Sequence, residues 1–225
     1  MQINTLRLRA WLGWLGMLLP IIVLALCLIF GYGFPDSISS TYYLSPTITP
    51  FMIILGASSI LLISYKGYDK QDDTVCTLAG IFGLMICFFP CSTEDLIPHW
   101  TDVTIPTIVG TLQFPENISG IIHNISAFIF FGLLAYNSFF LFTKSSGEMT
   151  DKKKKRNLIY RICGIGMMAS FIFIIPVSMF KVWGGIWWIE AVALTFFGIS
   201  WLTKTDKYSV LFCDSKNVEL PTDNA

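Results

Sequence analysis

Six long apolar segments interrupt the polar sequence, and they constrain the fold more than any other feature. They cover approximately residues 11–32, 48–65, 75–89, 121–142, 158–178 and 185–203. A helix rises about 1.5 Å per residue, so a segment of about 20 residues matches the ~30 Å hydrocarbon core of a bilayer. Backbone hydrogen bonds in lipid must be satisfied within the protein, which favours α-helices. The sequence therefore predicts an all-α fold, a polytopic membrane bundle of six transmembrane helices.

The composition leaves no room for a separate soluble domain. Only 13% of the residues are charged, whereas soluble domains carry about 25%. We expect one transmembrane domain over residues 1–203 and a polar cytoplasmic tail over residues 204–225. In the longest loop, residues 105–114 are apolar but too few to cross a membrane. We expect this stretch to form an interfacial or re-entrant piece.

Lysine and arginine residues are concentrated in alternate loops. Apart from Arg161 and Lys181, they all lie before the first segment, in loops 66–73 and 144–156, or in the tail. Because loops rich in these residues remain in the cytoplasm, we expect both termini to be cytoplasmic in a bacterial inner membrane. Nucleic acid is not expected as a partner, since the only basic run is a short loop between two spans.

Ionisable side chains are rare inside the apolar segments, and two of them, His123 and Glu190, lie at similar depths below the predicted outer boundary. Such groups are costly in lipid and usually face a protein interior or a water-filled cavity. We expect His123 and Glu190 to approach each other directly or through one water. Neighbours on the same helical faces and hydroxyl groups of the first loop would complete a polar cup in the outer leaflet. The candidate ligand-binding residues of this cup are His123, Glu190, Ser119, Ser126, Trp187, Ser39, Tyr42 and Tyr43.

The same two residues also allow a structural interpretation, in which a hydrogen bond between His123 and Glu190 only fixes helix packing. Neither HExxH nor GxSxG is present, so the sequence assigns no catalytic residue, metal ligand or cofactor. A serine nucleophile beside His123 would require the first loop to bring Ser39 or Ser40 to the imidazole.

Three functions remain open at this point. The leading hypothesis is a membrane protein, not an enzyme, that binds a membrane lipid or small amphiphile, or acts as a sensor, through the polar cup. The first alternative is a membrane-embedded hydrolase or transferase that modifies lipid with His123 and Glu190. The second alternative is a small transporter or channel. The oligomeric state does not follow from the sequence.

Several short strings resemble a family of uncharacterised bacterial multipass membrane proteins. They include Ser37-Ile38-Ser39 with Tyr42-Tyr43, Gly67-Tyr68-Asp69, Trp188 with Glu190, and the stretch 197–202. The resemblance covers roughly residues 36–204 and implies a bacterial multipass membrane protein without supplying an activity. Relatives with an Arg-Asp pair soon after the tyrosines differ from this chain, which has Thr49-Pro50. Alkaline ceramidases and related membrane hydrolases use several histidines around a metal, and this chain has only two histidines.

Overall fold

The computed structural model of the chain describes residues 5–93, 107–144, 150–180, 182 and 184–205. Six long helices account for most of the described residues, and each is long and apolar enough to cross a membrane. They are α1 (Thr5–Ile29), α2 (Ser45–Ser64), α3 (Lys70–Phe88), α4 (Glu116–Tyr136), α5 (Asp151–Met179) and α6 (Gly185–Thr203). The predicted all-α bundle of six membrane-length helices is confirmed.

Short elements connect or extend these helices. A 3-10 helix, Ser39–Tyr43, follows α1, and a π-helical turn, Asn137–Leu141, extends α4. Between α3 and α4, β1 (Ile108–Val109) pairs with β2 (Phe114–Pro115) in an antiparallel hairpin. Of the expected interfacial piece at 105–114, residues 105 and 106 lie outside the described part. The remainder forms this hairpin, with Val109 buried and the Phe114 ring packed on Phe89, 5.0 Å away.

Helices α1 to α5 begin before the apolar segments that predict them, and capping residues explain two of these early starts. Asp69 caps α3, because its side chain accepts a hydrogen bond from the Asp72 N–H at 3.0 Å. Thr150 caps α5 in the same way, by accepting from the Lys153 N–H at 3.3 Å. The basic run 152–156, which we expected in a loop, therefore forms the first turns of α5, where lysine and arginine are good helix formers. Of the predicted tail, residues 206–225 lie outside the described part.

The helices form a closed ring in chain order. Each helix packs on the next and α6 returns to pack on α1, and the π-helical turn that extends α4 makes a large share of its contact with α5. We call one end of the bundle the loop end, which carries residues 30–44, 89–93, 107–115 and 184. We call the other the terminal end, which carries the start of α1 and residues 65–69, 142–144 and 204–205.

Glycine residues allow α1 and α6 to pack closely. A Cβ atom added to Gly198 of α6 would lie 2.8 Å from the carbonyl oxygen of Gly13 in α1 and would overlap the Met17 side chain. A Cβ atom on Gly16 would likewise overlap the Phe197 ring. Close approach of helix backbones through small residues is a main source of helix association in lipid.

Aromatic side chains fill the interior of the ring of helices at the terminal end. Tyr65, Phe142, Tyr160 and Trp201 are buried there, and the Trp201 ring lies 5.0 Å from Tyr65 and 5.1 Å from Phe142. The Lys204 ammonium lies 4.6 Å from the centre of the Phe142 ring, so a cation is buried among these rings. The open space inside the ring of helices lies on the other side of this aromatic cluster, towards the loop end.

Candidate functional site

A cavity of about 350 Å³ occupies the centre of the ring between the aromatic cluster and the loop end. All six helices and residues 36–40 line it. Aromatic and aliphatic side chains form most of its wall, including Phe51, Leu55, Phe131, Phe171 and Leu194. Its polar end is formed by Asp36, Ser39, His123, Asn124 and Glu190, among others. The cavity is therefore amphipathic, with a polar end towards the loop end and apolar walls below it.

Three predicted site residues meet at the polar end around a single hydroxyl group. Ser39 Oγ lies 3.2 Å from Glu190 Oε1 and 3.1 Å from His123 Nε2. The Ile38 N–H donates to the other carboxyl oxygen, Glu190 Oε2. We expected His123 and Glu190 to meet directly or through water, whereas the structure joins them through Ser39. We call Glu190, Ser39 and His123 the polar triplet.

Local hydrogen bonds in the first loop bring Ser39 into place. The Ser40 N–H donates to Ser37 Oγ at 2.9 Å, and the Ser37 N–H donates to Ser40 Oγ at 3.2 Å. This reciprocal pattern resembles a helix capping box, and it spans the start of the 3-10 helix, whose N-cap residue is Ile38. The serine-rich sequence 37–40 thus specifies a sharp turn that presents the Ser39 hydroxyl to the cavity.

Asp36 holds this loop against the start of α6. Its side chain accepts from the Gly184 N–H at 3.1 Å, and its carbonyl accepts from the Trp187 N–H at 2.9 Å. Gly184 has a φ of 65°, a conformation that favours glycine, and a Cβ atom there would lie 2.7 Å from the Phe34 ring. The first loop and α6 are therefore fixed together, which sets the distance between Ser39 and Glu190.

The imidazole of His123 has a defined tautomer. Its Nδ1 lies 2.8 Å from the carbonyl oxygen of Phe89, which can only accept, so Nδ1 carries a hydrogen. In the neutral ring, Nε2 then presents its lone pair to Ser39. Phe89 follows the last residue of α3 and precedes Pro90, where carbonyl groups have no partner within the helix. A free carbonyl at a helix end thus anchors His123.

Both contacts of Ser39 are hydrogen bonds only when the polar triplet holds one proton in addition to the Ser39 hydroxyl proton and the Nδ1 proton of His123. Ser39 has one hydroxyl proton and cannot donate to Glu190 and His123 together. Both contacts are satisfied when protonated Glu190 donates to Ser39, which in turn donates to His123 Nε2. They are equally satisfied when Glu190 is ionised and His123 carries both ring protons. In either form the polar triplet has no net charge, which is the less costly state inside a membrane protein.

The cavity reaches the outside of the ring between α4 and α5. Phe128 and Ile175 line the cavity and are also exposed, at 61% and 64% of their surface. Asn124, next to His123, is a third exposed residue of the lining. These residues lie on the perimeter of the bundle, which faces lipid in a membrane. The cavity is therefore accessible from the side of the bundle, between the parts of α4 and α5 that lie nearer the loop end.

The remaining candidate residues pack around the cavity instead of lining it; they are Ser119, Ser126, Trp187, Tyr42 and Tyr43. The Ser119 hydroxyl donates to the Pro90 carbonyl at 2.8 Å, and the Tyr43 hydroxyl donates to the Cys91 carbonyl. Both hydrogen bonds fix the chain just after α3, where Phe89 holds His123. These two candidates therefore stabilise the segment that carries the Phe89 carbonyl, and through it the position of His123.

The sequence did not predict the Phe89 carbonyl as a partner of His123, and it did not predict a role for Glu116. The Glu116 carboxylate accepts from the Ser92 hydroxyl and from the Thr93 N–H, both at 2.6 Å. It thereby ties the chain after α3 to the first turn of α4. The available signals were Pro90, which marks a helix end, and an acidic residue at a helix start. Among the described residues, no three His, Cys, Asp or Glu side chains form a possible metal-binding group.

Six membrane-length helices around a laterally open cavity define a multi-pass integral membrane protein. A comparison with protein-family models, a search of curated proteins and a search of solved structures each found no match. The cavity and its polar triplet are therefore the features of the molecule that bear on its function.

Proposed function

We propose that the protein binds one membrane lipid or small amphiphile, with its polar group at the polar triplet and its apolar part along the aromatic wall. The observation that supports this proposal is an amphipathic cavity that opens sideways to the lipid-facing surface. A volume of about 350 Å³ falls in the range of small-molecule sites and holds on the order of ten water-sized groups. It accommodates a polar group and the first carbons of a chain, while the rest of the chain extends into the bilayer.

In the proposed orientation, the terminal end faces the cytoplasm of a bacterial cell and the loop end faces outward. The charge distribution supports this orientation, because Arg9, Lys144, Lys153 and Lys204 all lie at the terminal end. The polar triplet then belongs to the outer leaflet. His123 is seven residues into α4, and Glu190 is five residues into α6, which places both roughly 7–10 Å below the loop end.

The extent of the cavity favours binding over conduction. Of its deepest lining residues, Leu55 and Leu194 lie near the middle of their helices, and Phe131 lies five residues before the end of α4. Below them, buried aromatic side chains such as Tyr65 and Trp201 fill the interior of the bundle towards the terminal end. A ligand that enters from the bilayer therefore meets a floor at mid-membrane, which suits a binding site better than a path across the membrane.

Native mass spectrometry of the purified protein, with a variant that fills the cavity, tests this proposal. We expect wild-type protein to retain one lipid or amphiphile. Ala127→Phe adds a ring to the cavity wall and should lower that occupancy severalfold. Ala25→Phe adds the same ring at an exposed position of α1 outside the cavity and should keep wild-type occupancy. Wild-type occupancy in Ala127→Phe, at an unchanged melting temperature, would disprove the proposed binding site.

A further inference from the structure

We propose that the polar triplet is an acyl-transfer site, in which Ser39 Oγ is the nucleophile and His123 Nε2 is the general base. The substrate class is a carboxylic ester of an amphiphile. This inference rests on the proposed function, because the ester has to reach Ser39 through the same cavity. The observation that carries it is a serine hydroxyl hydrogen-bonded to a buried imidazole inside a cavity open to the bilayer.

His123 meets the geometric requirements of a general base for Ser39. The distance of 3.1 Å between Nε2 and Oγ lies in the range expected for a nucleophile and its base. The base also needs a third group that orients it, and the Phe89 carbonyl takes that place at Nδ1. Because this carbonyl holds a hydrogen on Nδ1, the lone pair of Nε2 points at the hydroxyl that has to lose its proton.

Ser39 is distinguished from the other hydroxyl-bearing residues of its segment. The Ser40 hydroxyl donates to the Ser37 carbonyl at 2.7 Å, and the Thr41 hydroxyl donates to the Ile38 carbonyl at 2.6 Å. Those two hydroxyls stabilise the local turn. The Ser39 hydroxyl instead leaves its own segment and contacts side chains of two different helices, α4 and α6. A hydroxyl needed only for the turn would have local partners.

Glu190 is the positioning residue of this site. One carboxyl oxygen accepts from the Ile38 N–H and the other contacts the Ser39 hydroxyl, so Glu190 holds both the backbone just before the nucleophile and its side chain. In its protonated form Glu190 donates to Ser39, and the Ser39 proton is then directed to His123.

The depth of the site indicates which bond of an amphiphile it reaches. The polar triplet lies about 7–10 Å below the loop end, inside the outer part of the hydrocarbon region that the helices match in length. The ester groups of acyl lipids lie close by, at the boundary with the head groups, with the acyl chain on the apolar side. The cavity has the same arrangement, because Ser39 is at its polar end and Phe131, Phe171 and Leu194 line the apolar part.

The chemical step balances without any further reagent. Ser39 Oγ forms a bond to the ester carbonyl carbon, and His123 Nε2 takes the hydroxyl proton. The bond between the carbonyl carbon and the alkoxy oxygen then breaks, and the leaving alcohol receives that proton from His123. The acyl group remains on Ser39 as an ester. Water or a second alcohol, deprotonated by His123, then attacks the acyl-serine and regenerates the hydroxyl.

Labelling of the full-length protein with an alkyl fluorophosphonate tests this inference. Ser39 Oγ should attack phosphorus and expel fluoride, which leaves an alkylphosphonyl group that intact-mass measurement detects. Peptide mapping of the labelled wild-type protein should place the group on Ser39, a result that requires no variant to fold. No adduct, or an adduct on another residue, would overturn the acyl-transfer proposal.

Variants assign the roles of the individual groups. Ser39→Ala should give no adduct, and His123→Gln should label at least about 100-fold more slowly. Ser170→Ala removes a buried hydroxyl of α5 that bonds the Gly166 carbonyl outside the cavity, and it should label at the wild-type rate. Glu190→Leu should slow labelling, and the conservative Glu190→Gln should restore most of the rate. Equal rates in wild type and His123→Gln would exclude His123 as the base.

Lipid occupancy, measured on the same samples, separates this inference from the proposed function. Wild-type protein that retains lipid but forms no adduct would leave lipid binding intact and exclude acyl transfer. Protein that labels at Ser39, with Ala127→Phe labelling equally fast and no lipid retained, would exclude the proposed lipid site while Ser39 remains a nucleophile.

Discussion

Glu190 accepts the N–H of buried Ile38 and contacts the Ser39 hydroxyl, so each of its oxygens has a separate partner. Glutamine at this position keeps an oxygen for Ile38 and offers an N–H to Ser39, as protonated glutamate does. We expect Glu190→Gln to change the free energy of unfolding by less than about 1 kcal/mol. Glu190→Leu should lower it by roughly 1–3 kcal/mol, because the Ile38 N–H then stays buried without an acceptor. Chemical unfolding in detergent measures both values. Equal losses would instead indicate an ionised Glu190 paired with imidazolium.

Lys204 gives a second prediction at the level of a single residue. Burial lowers its pKa to about 7, and the neighbouring cations Arg9 and Lys153 act in the same direction. The unfolded chain keeps the lysine proton up to about pH 10.5 and so binds more protons than the folded state between these values. Folding stability should therefore rise with pH across this window, and the cost of the buried charge is greatest below pH 7.

The comparison with Lys204→Met isolates this effect. Wild-type protein should gain stability relative to Lys204→Met as the pH is raised from about 6.5 to about 9.5, measured by thermal or chemical unfolding. Lys66→Met, which removes a lysine that is 73% exposed, is the control and should follow the pH dependence of the wild type. A constant difference between wild type and Lys204→Met over this range would contradict the prediction.

The polar triplet shows which parts of a site can be predicted from the sequence and which cannot. His123 and Glu190 could be identified because ionisable side chains are rare in apolar segments, and Ser39 because the first loop is rich in hydroxyl groups. The Phe89 carbonyl could not be identified as a partner. Every residue has a carbonyl group, and its availability depends on where the helix ends and which side chain lies opposite. The tautomer of His123 depends on that carbonyl, so the sequence could not predict it either.

Helix α5 shows that the start of a whole helix can also be missed when only hydropathy is used. Its apolar part was predictable from hydropathy, but its first turns are polar and charged, and hydropathy does not separate a polar turn of helix from a polar loop. The local signal was the Thr150 cap followed by good helix formers. The hydropathy pattern thus predicts which residues cross the membrane, while capping residues determine where each helix begins.

The contact between α1 and α6 closes the ring of helices and can be tested through its glycines. Gly198→Ala adds a Cβ atom 2.8 Å from the Gly13 carbonyl oxygen, so the two helices have to move apart. We expect a loss of about 1–3 kcal/mol in the free energy of unfolding from this overpacking. The control is Gly132→Ala on α4, where an added Cβ atom meets nothing within 4 Å. Because alanine favours helix, the control should be neutral or slightly stabilising. Equal effects of both substitutions would argue against a close contact between α1 and α6.

At the scale of the whole molecule, the two ends of the bundle differ in packing and in charge. The terminal end is filled by aromatic rings and carries cations, including the Lys144 ammonium, which lies 2.8 Å from Asp69 and 3.0 Å from Asp72. Those two contacts hold the chain before α5 against the start of α3. The loop end has the cavity, the polar triplet and a lateral opening. The bundle therefore has one closely packed end and one end with an internal cavity.

The proposed orientation of these ends in the membrane leads to the last prediction. In a cysteine-free background, Asn117→Cys places an exposed thiol at the loop end, and Asp151→Cys places one at the terminal end. A membrane-impermeant maleimide should label position 117 in intact cells. It should label position 151 only after the cells are permeabilised, because lysine- and arginine-rich segments remain in the cytoplasm. Labelling of position 151 in intact cells, with position 117 protected, would reverse the orientation and place the polar triplet in the cytoplasmic leaflet.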